Sequence, residues 1–179
     1  MSAFTVASRF PVHPFGIPSG DIGNEDNTVS LLLEKIRRHA AARTSDWTAQ
    51  TEDSLFEIYS NCSISDWDGN GAEAVSSATL ERARTFLCSL RPLLKASVSA
   101  PTLTPEADGE ISISWELAAD RLFSISVGEG TALNYAGLLG DGVERNGVEP
   151  FVGLVPQIVL QSVEELFERY SASKKRRAA

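Results

Sequence analysis

The sequence predicts an α+β fold: a three- to five-stranded antiparallel meander with helices packed on one face, N-terminal helices before it and a C-terminal helix after it. Three observations carry this. Residues 110–117 alternate strictly, putting Ile111, Ile113, Trp115 and Leu117 on one face and polar groups on the other, which is the pattern of an antiparallel strand buried on one side. After a short turn at Ala118-Ala119-Asp120, Phe123, Ile125 and Val127 repeat the alternation. Ahead of both, Leu80, Ala83, Leu87 and Leu90 recur at spacings of three and four, with Phe86 thickening the stripe, as on the buried face of a helix.

In chain order, residues 1–26 form a leader in which Phe10-Pro11-Val12-His13-Pro14-Phe15-Gly16-Ile17-Pro18 interleaves prolines with large apolar groups. Such a stretch is extended, either as an ordinary N-terminus or as a short docking segment. Residues 27–170 form a single α+β domain. Asn27 or Thr28 caps its first helix, where Val29, Leu32, Leu33 and Ile36 share a face and Lys35, Arg37, Arg38 and Arg43 make the basic cluster of the folded part. Cations near a helix C-terminus are favourable on dipole grounds alone. Arg37 and Arg38 are equally candidate binding residues.

A second helix runs from near Asp46 to about Cys62, with Trp47, Leu55, Ile58 and Tyr59 inward. The third spans Ser77 to Leu90 and ends or kinks at Pro92. An extended stretch from Val98 to Pro105 leads into the sheet. Gly128-Glu129-Gly130 turns the chain into a strand from Thr131 to Leu139, and another strand lies between Gly142 and Phe151, broken near Asn146-Gly147. Pro156 opens the last helix, with Val159, Val163, Leu166, Phe167 and Tyr170 inward. Residues 171–179 read as a basic frayed tail.

The composition narrows the function classes. A chain of 179 residues buries a proper core, and 42% hydrophobic with 22% charged residues is ordinary for a globular protein. Net charge is −8, and removing the terminal Lys174, Lys175, Arg176 and Arg177 leaves −12. Nucleic acid is therefore an unfavourable direct ligand. Cys62 and Cys88 both fall on apolar positions of helices, which favours buried free thiols over a disulfide. No signal peptide, lipidation motif or long apolar run is visible, so a cytoplasmic location and no membrane contact are expected.

The stretch with the most chemical content is Asp66-Trp67-Asp68-Gly69-Asn70-Gly71-Ala72. It is the first half of a calcium loop, with Asp66, Asp68 and Asn70 at ligand positions one, three and five. Position twelve is Ser77 where a bidentate glutamate belongs, and Glu73 takes a position that is normally apolar. The other reading is a structural clamp. Asp66 and Asp68 bond backbone N–H groups, Gly69 and Gly71 allow positive φ, Trp67 buries its ring while its N–H finds a carbonyl, and Ser76 or Ser77 caps the next helix. Either way Asp66, Trp67, Asp68 and Asn70 are the candidate binding residues, with Asp66, Asp68 and Asn70 as metal candidates.

Other groups offer little. His13 and His39 neighbour no cysteine and belong to no spaced metal set. Gly137-Leu138-Leu139-Gly140-Asp141-Gly142 lacks the spacing and the lysine of a phosphate loop and reads as a hairpin turn. Glu164 and Glu165 read as a solvated helix face. Ser171-Ala172-Ser173-Lys174 matches S-x-x-K in letters alone.

Taken in order, Trp67-Asp68-Gly69-Asn70-Gly71-Ala72, Pro101 and Pro105, Asp108-Gly109 with Ile111, Ile113 and Trp115, then Tyr135-Ala136-Gly137-Leu138 resemble a group of small bacterial proteins. These carry a WDGxGA-like loop, a Pro-x-x-x-Pro and Asp-Gly lead into a strand ending in tryptophan, and a later Tyr-Ala-Gly. The resemblance covers about residues 66–151. Asn70 stands where that group usually has an aromatic, and Ala74 where it often has proline. An aromatic at the Asn70 position weighs against a metal-coordinating amide there. The resemblance implies an accessory protein of the kind found in mobile or host-defence regions, and no activity, substrate or cofactor.

The expectation is therefore a non-enzymatic, acidic interaction protein that binds another protein, as an antitoxin-, immunity- or inhibitor-like factor, with no cofactor. The alternatives are a metal-assisted hydrolase or calcium-binding protein using the Asp66–Asn70 loop, and an acidic mimic of nucleic acid.

Overall fold

The structure is a computed structural model that describes residues 47–178. The leader, the helix expected from residue 27 with Arg37 and Arg38, and both histidines lie outside the described residues. Within them the fold is α+β. Helix α1 (residues 47–62) is followed by a loop, α2 (Ser77–Leu90), a short 3-10 turn (Arg91–Leu93), five strands and α3 (Gln157–Ala178). The strands are β1 (Thr102–Pro105), β2 (Ile111–Ala118), β3 (Arg121–Val127), β4 (Ala132–Leu139) and β5 (Glu144–Pro150). They form an antiparallel meander in sequence order.

Register turns the alternation of each strand into rows across the sheet. Ile113 lies opposite Ile125 and Trp115 opposite Phe123, and all four are buried. The covering helices contribute Phe86, Leu87 and Leu90 from α2 and Val159, Val163 and Leu166 from α3. Both α2 and α3 contact the central strands on this face. Trp115 also donates its indole N–H to the Ser99 carbonyl at 2.9 Å, so its one polar atom is satisfied. The opposite face carries hydroxyls and is less open than its polarity suggests. Ser112 is only 8% exposed and shares a hydrogen bond with Ser124 at 2.8 Å.

Helix α2 begins and ends where its sequence dictates. Ser76 accepts from the Thr79 N–H at 3.1 Å as an N-cap, and Pro92 sits in the 3-10 turn that closes it. Five expectations are corrected. The strand before Phe151 is not broken at Asn146-Gly147: Gly147 pairs with Tyr135 inside β5, and a side chain there would collide with the Tyr135 ring. Tyr59 points outward, 37% exposed, because the buried row of α1 runs through Trp47, Thr51, Leu55, Ile58 and Cys62. Cys62 is a buried free thiol, whereas Cys88 is free and exposed on the outer side of α2.

Glu164 and Glu165 are not simply solvated. Glu165 accepts from Arg145 at 3.0 Å and from Arg169 at 2.7 Å, and Glu164 faces Lys95. Those two arginines hold the Glu165 carboxyl below the usual carboxylate range. The stretch after Tyr170 continues α3 to Ala178 instead of fraying. Cations suit the negative end of a helix, and Lys174 lies over the Tyr170 ring at 4.6 Å, one turn back.

Candidate functional site

The loop between α1 and α2 brings Asp66, Trp67, Asp68 and Asn70 together. Its geometry is that of a self-bonded turn. The Asp66 carboxylate accepts the Gly71 N–H at 2.7 Å, and the Asp68 carboxylate accepts the N–H groups of Asn70 at 2.8 Å and Ala72 at 3.1 Å. The Asn70 amide donates back to the Asp68 carbonyl at 3.1 Å. Asp66 itself has φ +64°, with Gly69 at +71° and Gly71 at +90°. Such backbone suits glycine and is tolerated by aspartate, whose short side chain bonds locally.

Two backbone N–H groups bonded to one carboxylate oxygen favour its charged form. They hold the Asp68 carboxyl below the usual carboxylate range. Trp67 closes the loop from the other side, donating its indole N–H to the Glu73 carbonyl at 2.9 Å and packing against the core. Among the described residues no group of three or more His, Cys, Asp or Glu side chains is placed to share a metal ion. Ser77 is the first residue of α2 and stands outside the loop.

The loop is also tied to elements distant in sequence. Val75 donates its N–H to the Cys62 carbonyl at the end of α1, and Glu73 donates to Ala107 in the β1–β2 turn, both at 2.8 Å. In that turn Gly109 has φ +77°, and a Cβ there would come within 2.9 Å of the Ala74 carbonyl oxygen. The α1–α2 loop and the Asp108-Gly109 turn thus meet in space. Burial, with Asp108 and Glu106 nearby, pushes the Glu110 carboxyl up at the foot of the same turn.

Three features escaped the reading of the sequence. Phe56, 75% exposed, Tyr59 and Ile64, 77% exposed, leave an apolar and aromatic flank on and just beyond α1. Its signal was available, since Phe56 falls outside the helical row that ends at Cys62. Asp141, at the tip of the β4–β5 hairpin, has Arg121, Arg169 and Arg176 between 3.7 and 3.9 Å away. Arg82 on α2 lies over the ring of Phe151. The last two join residues far apart in the chain and leave no local pattern.

No family model matches the chain, and no curated protein and no solved structure is similar enough to it to count as a match. No helix among the described residues is long and apolar enough to cross a membrane.

Proposed function

We propose that the chain acts by binding another protein, as an accessory factor of the antitoxin, immunity or inhibitor kind, and not by catalysis. The observation that supports this is the outer flank of α1. Phe56 and Tyr59 are one helical turn apart and exposed, Ile64 follows just past the helix end, and the acidic Asp53 and Glu57 stand exposed beside them. Large side chains grouped on a rigid helix, with charge around them, are what a binding surface uses for its central contacts. The surrounding carboxylates suit a basic partner. The Asp66–Asn70 loop supports α1 from its C-terminal end, which makes the clamp a scaffold for this surface.

The test is affinity capture from the native host with the parent chain and a Phe56→Ser, Ile64→Ser double variant. Both positions are exposed, so the variant should keep the parent circular dichroism and melting curve. Specific capture by the parent and its loss in the folded variant is the expected result. Equal capture by both would place the contact elsewhere. A folded single-residue variant that loses cellular function while still capturing every native partner would overturn the binding reading.

A further inference from the structure

The two edges of the sheet differ. β1 has four residues and ends at Pro105, whereas β5 runs for seven, Glu144–Pro150, with β4 on one side and no described strand on the other. The bonds at the two ends of the β4–β5 hairpin fix which backbone groups of β5 are free. Leu139 donates its N–H to the Val143 carbonyl, and Phe151 donates to the Thr131 carbonyl. The register between them is unbroken, from Ala132 opposite Pro150 to Leu138 opposite Glu144. Hydrogen-bonded pairs alternate along an antiparallel ladder, so Arg145, Gly147 and Glu149 direct their backbone groups at β4. Those of Glu144, Asn146 and Val148 point to the open side, where no described residue bonds them. Pro150 faces that side too, so its missing N–H costs the β4 ladder nothing.

An unpaired edge is a template for another strand, and charges that repel a neighbour are a common way to block it. The charges of β5 instead complement the strand itself. Two copies laid antiparallel with Gly147 opposite Gly147 set Arg145 opposite Glu149 at both ends of the contact. Centring the pair on Asn146 or Val148 sets Gly147 opposite Arg145 or Glu149 and loses both matches. Glu149 makes no ion pair with any described residue, and Arg145 bonds Glu165 through Nη2 alone, which leaves Nη1 to reach across. We propose that β5 is a self-association edge whose occupant is β5 of a second copy, joined antiparallel about Gly147 so that the two sheets become one. Asn146 of each copy then exchanges both backbone hydrogen bonds with Val148 of the other, and Glu144 donates to the Pro150 carbonyl, where the ladder ends. Val148, 63% exposed in the single chain, gains cover beside Asn146 of the second copy. This surface is distinct from the α1 flank, and the inference does not rest on the protein-binding reading.

Sedimentation of the full-length chain from about 10 μM to about 1 mM tests this, since a single strand pair buries little surface and suits a dimer constant of about 100 μM. Val148→Pro removes one outward N–H and leaves the β4 bonds intact, and it should weaken the dimer by about tenfold or more. Arg145→Glu and Glu149→Arg each set like charges face to face and should be monomeric alone. Mixed in equal amounts, each supplies the sign that the other lacks, and a dimer should return. Circular dichroism checks that both fold, since Arg145→Glu also faces Glu165. Cross-linking reads the register without touching any charge. In a Cys88→Ser background, Asn146→Cys and Val148→Cys should form a disulfide when mixed and not singly, because opposed Cα atoms of a hydrogen-bonded pair lie about 5.5 Å apart, within disulfide reach. A parent chain that stays monomeric over the whole range overturns the proposal. So does a dimer indifferent to Val148→Pro, no dimer in the mixture of two folded charge variants, or Asn146→Cys that cross-links as readily alone. The Phe56→Ser, Ile64→Ser variant should dimerise like the parent, and loss of the dimer there would place the contact on α1 instead. Capture that depends on Phe56 and Ile64 with a monomeric parent removes the β5 edge and leaves the protein-binding reading standing.

Discussion

Replacing Gly109 by alanine tests whether the β1–β2 turn is docked on the α1–α2 loop or merely lies near it. Two costs add at this position. A non-glycine residue in the left-handed region is disfavoured by about 1–2 kcal/mol, and Gly109 has φ +77°. The new Cβ would also lie 2.9 Å from the Ala74 carbonyl oxygen. That oxygen cannot retreat easily, because the residues on either side of it are pinned by the bonds from Glu73 to Ala107 and from Val75 to Cys62. Overpacking of this kind adds about 1–3 kcal/mol. The stiffer unfolded chain returns about 0.4–1 kcal/mol. The net loss for Gly109→Ala is therefore about 1–4.5 kcal/mol, or about 3 kcal/mol at the middle of each range.

Gly69→Ala is the control. It has a similar φ of +71° and open space around the added Cβ, so only the backbone cost remains and the loss falls to about 1 kcal/mol. Urea unfolding followed by the fluorescence of Trp47, Trp67 and Trp115 measures both, as a shift of midpoint at constant slope. If Gly109→Ala is no less stable than Gly69→Ala, the two turns are not packed together and the clamp account fails.

Trp115→Ala should destabilise by about 3–5 kcal/mol, the range for truncating a buried aromatic, since its ring is 2% exposed and its N–H reaches Ser99. A variant that unfolds within about 1 kcal/mol of the parent would mean that the helices do not cover this face. For Asp68→Asn the stability gap to the parent should depend on pH in one direction. The folded carboxyl is held down by the Asn70 and Ala72 N–H groups, so its contribution is present above the unfolded value near 3.9 and is lost as pH falls through the folded one. The melting-temperature gap should thus be constant above about pH 5, narrow in stronger acid and ignore added calcium; a gap that widens in acid contradicts the hydrogen-bond assignment.

Much of the fold was legible because it rests on local physics. Ile111, Ile113 and Trp115 share a face since side chains alternate along any strand, and α2 begins after Ser76 and closes at Pro92 since a hydroxyl and a ring with no N–H act within one turn. The α1–α2 loop was readable for the same reason: its carboxylates reach backbone N–H groups only two to five residues away. What stayed hidden depends on a second element arriving. Asn146-Gly147 looks like a break until β4 lays Tyr135 over Gly147, and Glu165 looks solvated until β5 brings Arg145 beside it. The periodic signal of α1 and α2 could not separate Cys62 from Cys88, because which flank of a helix is covered is set by its neighbours. Arg82 is the extreme case. Propensity and periodicity act over a few residues, whereas its contact with Phe151 exists only because the sheet returns the chain to the start of α2.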